Sequence, residues 1–189
     1  MHFDDDIYVQ KKVLKGAGKS ILYLDFDGVL HHESVFWNQK RGPYIKTEST
    51  GLGQTSCVLF QYAGLLAEML APYPEVKIVL STSWVRSYGC YGAAKYLPQA
   101  LRDLVIGATF HSRMNEAEFI AMPRGMQIYN DSLRRKPAAW LAIDDDWEDW
   151  PESCLANYIR TDEVLGISEP SVRAKLERKL AEMERRSLR

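Results

Sequence analysis

The chain has 189 residues, a formal net charge of -1 and a hydrophobic content of 46%. This length and composition predict one folded domain with a full core, and they exclude a disordered tail protein, a collagen-like fibre and a disulfide-stapled peptide. The balanced charge argues against a wholly basic nucleic-acid coat, although it is compatible with a local basic face.

The predicted elements alternate between strands and helices. Short apolar runs indicate buried strands, and apolar residues at helical spacing indicate helices. In chain order the sequence predicts a strand at 21–24, a helix at 60–70, a strand at 77–80, a helix at 92–104, a strand at 105–110, a helix from Pro123, a strand at 140–143, a strand at 156–160 and a final helix from Ser168. The apolar faces of the last two helices are predicted to be Met126, Tyr129 and Leu133, and Val172, Leu176, Leu180 and Met183.

This alternation predicts the fold class. Strands separated by helices of about 10–15 residues imply parallel strands with right-handed crossovers. We therefore expect an α/β fold of the Rossmann-like, three-layer type, with a central and mostly parallel sheet. In such sheets ligands bind at the carboxyl ends of the strands, near the point where the strand order reverses.

Acidic residues follow two of the predicted strands directly. Asp25 and Asp27 follow the first strand, and Asp144 and Asp145 follow the strand at 140–143. If these strands are neighbours, the carboxylates converge at one edge of the sheet, where they raise one another's pKa unless a cation neutralises them. Oxygen ligands of this kind suit Mg²⁺. The two clusters together therefore predict a metal site.

Four motifs resemble those of the haloacid dehalogenase-like (HAD) hydrolase superfamily. The segment LDFDGVL at 24–30 is similar to the first motif, VLSTSW at 79–84 to the second, and IDD at 143–145 to the fourth. The third motif, a basic residue ahead of the last acidic strand, fits Arg124, with Lys136 as the competitor. The motifs occur in the family's order, and the second and fourth also resemble the branch grouped with phosphatase domains of RNA repair proteins.

The resemblance implies phosphate chemistry. Asp25 would be the nucleophile that forms an aspartyl-phosphate, and Asp27 would act as general acid and then general base. Thr82 would bind a phosphate oxygen, and Ser81 would take that position if the strand register shifts by one residue. Arg124, or Lys136 in its place, would balance charge on the phosphoryl group.

The resemblance also implies a Mg²⁺ ion. Its ligands would be Asp25, the backbone carbonyl of Asp27, and Asp145, with Asp144 binding directly or through water. Gly28 would let the loop turn tightly so that its backbone N–H groups contact the phosphate.

Ser83 and Trp84 end the second motif and are further candidates for substrate binding. The gaps between motifs leave no room for a large cap domain. Residues 31–57 suffice for a flap or small insertion, so we expect a capless, single HAD-like domain over residues 1–189, with residues 1–20 as an N-terminal extension. Open sites in this superfamily often serve macromolecular substrates.

The predicted flap is rich in basic and aromatic side chains. These are His31, His32, Trp37, Lys40, Arg41 and Tyr44. One interpretation is that the flap stacks nucleic-acid bases and binds phosphate groups. The other is that its tryptophan covers the core while its charged side chains are solvated. The two histidines have no metal-ligand spacing, so we assign them no role in a metal site.

The leading hypothesis is a Mg²⁺-dependent phosphomonoester hydrolase that acts on nucleic-acid ends or nucleotides. The alternatives are a binding or regulatory protein without turnover, and a phosphotransferase. Cys57, Cys90 and Cys154 are far apart and predict reduced thiols. Because the N-terminus is acidic and no apolar run approaches a membrane span, we expect a cytoplasmic protein without a signal peptide or membrane partner.

Overall fold

A computed structural model describes residues 14–40, 42–45 and 58–187. Their strands are β1 (Ser20–Leu24), β2 (Val35–Asn38), β3 (Gly42–Ile45), β4 (Lys77–Leu80), β5 (Val105–Ala108), β6 (Ala139–Asp144) and β7 (Tyr158–Arg160). The helices are α1 (Ala63–Leu70), α2 (Trp84–Ala94), α3 (Gln99–Arg102), α4 (Glu116–Ala121), α5 (Arg124–Arg135) and α6 (Pro170–Ser187), with a 3₁₀ turn at Glu152–Asn157.

Five strands form one parallel sheet in the order β5-β4-β1-β6-β7. From β1 at the centre, the chain first builds β4 and β5 on one side and then β6 and β7 on the other. The strand order therefore reverses at β1, and the carboxyl end of β1 is the expected place for a ligand. The remaining two strands, β2 and β3, form a separate antiparallel hairpin.

Alternate side chains of β1 face two different cores. Leu22 and Leu24 belong to a large apolar cluster that includes residues of α1, α2, α3 and α6. Ile21 and Tyr23 pack instead with Ile128 of α5 and with residues of the 3₁₀ turn. Because successive side chains of a strand point to opposite faces, helices cover both sides of the sheet. The predicted three-layer α/β fold is confirmed.

The helical prediction after the second motif is wrong in its boundaries. The structure has α2 from Trp84 and a short α3 from Gln99, where the sequence predicted one helix over residues 92–104. Pro98 caps α3 with an extended ψ of 152°, and a proline N-terminal to a helix cannot continue the preceding one. Within α2, Gly89 has φ 68° and ψ 165°, which interrupts the helical backbone and weakens its periodic pattern.

The predicted apolar face of α5 is also wrong in part, because Leu133 is 55% exposed. The buried face contains an ion pair instead, with Arg135 Nε 2.6 Å from Asp131 Oδ2. The Tyr23 hydroxyl donates to the same carboxylate at 3.0 Å. A buried polar network of this kind is invisible to a pattern that counts apolar residues. On α6 the predicted face is confirmed, since all four of its apolar residues are buried.

The hairpin β2–β3 occupies the first part of the predicted flap. Arg41, residues 46–57 with Cys57, and residues 1–13 of the predicted N-terminal extension lie outside the described residues. Within the described ranges, no helix has the length and apolar composition that a membrane crossing requires.

Candidate active site

Three carboxylates meet at the carboxyl ends of β1 and β6. Leu24 pairs with Ile143 across these strands, and the Asp25 N–H donates to the Ile143 carbonyl at 3.2 Å. This register brings Asp25, the residue after β1, beside Asp144, the last residue of β6. Oxygen atoms of Asp25, Asp144 and Asp145 all lie within 4.8 Å of one another. The sheet pairing therefore creates the acidic cluster that the sequence predicts.

Burial makes this cluster costly to ionise. Asp25 and Asp144 are 4% and 0% exposed. Burial raises the pKa of Asp144 well above its usual range, and the charge of Asp25 raises it further. Burial also raises the pKa of Asp25, and it raises the pKa of Asp145 to about 7, with the Asp25 charge as the second cause. Positive charge must therefore enter the site before all three carboxylates ionise at neutral pH.

Arg124 supplies one such charge. It is the first residue of α5, and Pro123 before it fixes the start of the helix. Arg124 Nη2 lies 3.4 Å from Asp25 Oδ2, and its Nε lies 3.3 Å from Asp144 Oδ2. The guanidinium also donates to the backbone carbonyl of Ser81. Although burial lowers the pKa of Arg124, the Asp25 and Asp144 charges raise it above its usual value, so the guanidinium stays charged.

Two further observations fit a divalent cation. Asp144 Oδ2 is buried, and apart from its ion pair with Arg124 it accepts no hydrogen bond from any residue that the structure describes. Gly28 has φ 64°, and a Cβ added there would lie 2.1 Å from Asp145 Oδ2, so the loop presses closely on this carboxylate. A hard cation with oxygen ligands suits such a set. Asp25, Asp144 and Asp145 are therefore a candidate Mg²⁺ site.

The Asp27 side chain is held apart from this cluster. Trp84 Nε1 donates to its two carboxylate oxygens at 2.9 and 3.1 Å, and His31 Nε2 lies 3.0 Å from Oδ1. Because His31 Nδ1 accepts the Phe60 backbone N–H at 3.2 Å, we assign the ring proton to Nε2, which donates to Asp27. Asp27 keeps a side chain that is 26% exposed, so its carboxylate is both oriented and accessible.

The sequence predicts His31 only as a flap residue and does not predict its contact with Asp27. The imidazole is 0% exposed and uses both ring nitrogens, one on Asp27 and one on the Phe60 backbone. The available signal was its position four residues after Asp27, in the turn that follows the first motif. A search for metal-ligand spacing overlooks a histidine whose partner is a carboxylate.

Ser81 and Thr82 of the second motif differ in their hydrogen bonding. Thr82 is 5% exposed, and its hydroxyl bonds to Asp25, where it lowers the carboxyl pKa against the larger effect of burial. Ser81 is 0% exposed, and its hydroxyl has no hydrogen-bond partner within the described part of the chain. Thr82 also lines an open groove beside the acidic cluster.

The other predicted residues also separate in space. Lys136 caps the far end of α5, where its backbone carbonyl accepts the Gly18 N–H at 3.0 Å, so it lies away from the acidic cluster that Arg124 contacts. Ser83 lines the grooves on both sides of the site. Trp84 is 5% exposed and lines the groove that contains Asp27, to which its indole N–H donates.

Two open grooves flank the site. The first, the α4–α5 groove, has a volume of about 310 Å³, and its charged and hydroxyl lining includes Thr82, Arg86, Arg124, Asp146, Glu148 and Asp149. The second, the hairpin groove, lies between the β2–β3 hairpin and α2 and has a volume of about 350 Å³. Its lining includes Asp27, Phe36, Trp37, Ser83, Ser87 and Tyr88.

Comparison with protein families gives one finding. The family model described as the HAD domain in Swiss Army Knife RNA repair proteins matches residues 21–172. Searches of the curated proteins and of the solved structures found no significant match. The matched range contains the acidic cluster, Arg124, and the described residues of both grooves.

Proposed function

The chain belongs to the family of HAD domains in Swiss Army Knife RNA repair proteins, and from this premise we propose that it is a Mg²⁺-dependent phosphatase acting on phosphorylated ends of nucleic acids or on nucleotides. The observation that supports the proposal is the arrangement of acidic groups. Asp25, Asp144 and Asp145 lie within 4.8 Å of one another, while Asp27, two residues after Asp25, is oriented separately.

The first step would transfer the phosphoryl group to Asp25. One Asp25 carboxylate oxygen attacks phosphorus, and the bond between phosphorus and the ester oxygen breaks. The electron pair stays on the ester oxygen, which takes a proton from the Asp27 carboxyl and leaves as an alcohol. Thr82 and Arg124, which contact Asp25, are placed to bind the oxygens of the group in transit.

The second step would release phosphate. Asp27, now ionised, takes a proton from a water molecule as the water oxygen attacks phosphorus. The bond between phosphorus and the Asp25 oxygen breaks, and both aspartates return to their starting states. The hydrogen bonds from Trp84 and His31 keep the Asp27 carboxylate in one orientation through both proton transfers.

The residues that would hold Mg²⁺ are Asp25, Asp144 and Asp145. When bound, the ion neutralises the phosphate oxygens that would otherwise repel the Asp25 carboxylate. Arg124 alone cannot do this, because one guanidinium already faces two carboxylates before a phosphate arrives.

The test is phosphate release from 5′- and 3′-phosphorylated oligonucleotides and from p-nitrophenyl phosphate, with Mg²⁺ and with a chelator. Asp25→Asn is the active-site variant, and Asp103→Asn, at an exposed carboxylate at the end of α3, is the matched control. We expect release that needs Mg²⁺, that is lost in Asp25→Asn and that persists in Asp103→Asn.

Two results would contradict the proposal. Phosphate release by Asp25→Asn at the wild-type rate would show that Asp25 is not the nucleophile. Transfer of phosphate to an added alcohol, without release to water, would identify a phosphotransferase instead. Both are read from the same reaction, by measuring free phosphate and phosphorylated acceptor together.

A further inference from the structure

We propose that the hairpin groove binds the terminal nucleoside of the phosphorylated substrate, with its base stacked on Trp37 and its sugar hydroxyls beside Ser83 and Ser87. This inference rests on the proposed phosphatase function, because Asp27 forms one end of the groove. It goes further by assigning the part of the substrate that lies beyond the reacting phosphate.

The position of Asp27 identifies which side of the phosphate lies in this groove. Asp27 would give its proton to the ester oxygen that leaves, so the group attached to that oxygen must extend away from Asp27. Asp27 lines the hairpin groove and does not belong to the described lining of the α4–α5 groove. The leaving group therefore lies between the β2–β3 hairpin and α2.

Charge does not separate the two grooves. The α4–α5 groove carries the carboxylates of Asp146, Glu148 and Asp149, but Arg86 and Arg124 line it as well. In the hairpin groove, Asp27 is the only residue of the described lining with a formal charge at neutral pH. The choice of groove therefore rests on the position of Asp27 and on the aromatic and hydroxyl lining.

Helix α2 lines this groove with two parallel rows of side chains. Ser83 and Ser87 are four residues apart, as are Trp84 and Tyr88, and residues at this spacing lie on one face of a helix. The groove thus has a row of hydroxyl groups next to a row of rings. A nucleoside has the matching division, since its sugar carries hydroxyl groups and its base is a flat aromatic ring.

Trp37 provides the stacking surface on the opposite wall. Its Nε1 donates to the Tyr88 hydroxyl at 3.0 Å, which ties the hairpin to α2 across the groove. Trp37 is nevertheless 63% exposed, and neighbouring Phe36 is 40% exposed. A ring that is anchored by its edge and open to solvent can stack against any of the bases.

The same geometry disfavours a phosphotyrosine. The ring of a phosphotyrosine is bonded directly to the ester oxygen, so it would lie next to Asp27 and leave the hydroxyl groups of Ser83 and Ser87 beside an apolar surface. In a nucleotide the sugar occupies that position, and the base reaches the outer rings of the groove.

The test measures binding without turnover, in the Asp25→Asn background. The probes are 5′- and 3′-phosphorylated oligonucleotides, each compared with the same oligonucleotide lacking the base of its phosphorylated terminal nucleotide. The variants are Trp37→Ala, Trp37→Phe and, as a matched control, Tyr91→Ala, an aromatic residue of α2 that is 74% exposed and lies outside the groove lining. Thermal melts of all variants confirm that they are folded.

We expect Trp37→Ala to weaken binding by about tenfold, in line with the loss of one base-stacking contact. Trp37→Phe should retain most of the affinity, and Tyr91→Ala all of it. Removing the terminal base should weaken binding to the Asp25→Asn protein that retains Trp37 by a similar factor. It should not weaken binding to the protein that also carries Trp37→Ala any further. Equal affinity for the intact and abasic oligonucleotides would overturn the proposal.

A parallel activity measurement separates this inference from the proposed function. With Asp25 intact, Trp37→Ala should lower kcat/KM for the oligonucleotide about tenfold. The kcat/KM for glycerol phosphate should not change, because this substrate has no base. Base-dependent binding without phosphate release from any substrate would support the groove and contradict the phosphatase. Trp37-dependent hydrolysis of a phosphotyrosyl peptide, with no binding of either oligonucleotide, would overturn the nucleoside assignment.

Discussion

The indole N–H of Trp84 lies 2.9 and 3.1 Å from the two carboxylate oxygens of Asp27. Trp84 is the first residue of α2 and the last residue of the second motif, whereas Asp27 belongs to the first motif. The contact therefore couples two motifs that are 57 residues apart in the chain. It gives the proposed acid–base residue one fixed orientation, which a carboxylate in a solvent-exposed loop would lack.

Replacing Trp84 with Phe removes this donor and keeps most of the packing. We expect kcat to fall about tenfold, a part of the roughly 10²–10⁴-fold that general acid–base catalysis contributes. The loss should be larger for an alkyl phosphate than for p-nitrophenyl phosphate, because an alkyl leaving group needs the proton more. Trp140→Phe is the control, since Trp140 packs against Tyr23 on the other core. An equal loss on both substrates would indicate a structural role only.

His31 has the second donor to Asp27, and its two ring nitrogens can be tested separately. His31→Phe removes both contacts and leaves the partly buried Phe60 N–H without its acceptor, which lowers the free energy of unfolding by about 1 kcal/mol. His31→Gln retains a side-chain N–H for Asp27. We expect urea unfolding to show a loss of stability for Phe, and kinetics to show that Gln recovers more of the alkyl-phosphate activity. Identical kinetics for the two variants would show that His31 does not orient Asp27.

The sequence predicts most of the sheet because each parallel strand is a short apolar run with a clear end. The same logic predicts the acidic cluster, since Asp25 and Asp144 follow strands that turn out to be neighbours. It fails on α5, where the buried face contains Asp131 and Arg135. Burial of a charged pair depends on a partner distant in sequence, here the Tyr23 hydroxyl, and no local pattern records such a partner.

The candidate site shows the same contrast between features that a local pattern predicts and contacts that only the fold creates. The residues proposed to contact the phosphate belong to motifs with a fixed order, so Asp25, Thr82 and Arg124 are candidates from the chain alone, with Ser81 and Lys136 as alternatives to the last two. His31 and Trp84 contact Asp27 because the fold brings them together. The sequence draws attention to both residues, but it does not predict that either one contacts Asp27. The predicted competitor Lys136 could be set apart from Arg124 only when the direction of α5 was known.

The raised pKa of Asp145 predicts how stability depends on pH. Burial, and then the Asp25 charge, raise this pKa from 3.8 to about 7 in the folded state. The folded chain therefore holds a proton here that the unfolded chain has lost between these two pH values. The contribution of Asp145 is fully present below pH 3.8 and is lost as the pH rises through about 7.

This dependence is measured as the urea midpoint between pH 5 and 8, with a chelator present. We expect the wild type to lose more stability with rising pH than Asp145→Asn, which cannot ionise. Mg²⁺ should reduce the difference, because the bound ion takes the place of the proton. Calorimetric titration near pH 7 should then show proton release when Mg²⁺ binds. Parallel pH profiles for wild type and Asp145→Asn would contradict the assignment.

Gly28 and Gly18 form a matched pair that separates backbone strain from damage to the metal site. Their φ angles are 64° and 68°, so alanine at either position is strained by about 1–2 kcal/mol. A Cβ at Gly28 would lie 2.1 Å from Asp145 Oδ2, whereas a Cβ at Gly18 would meet no atom within 4 Å.

Both alanine variants should lower the free energy of unfolding in urea through the strained φ, and Gly28→Ala should lower it further because its Cβ overlaps Asp145. Only Gly28→Ala should also weaken Mg²⁺ binding, by about tenfold or more, because the Asp145 carboxylate must move away from its partners to make room. Calorimetric titration of the two variants with Mg²⁺ measures this difference directly. Equal Mg²⁺ affinities would show that Asp145 can shift without leaving the ion, and that the close approach of Gly28 serves only the turn after β1.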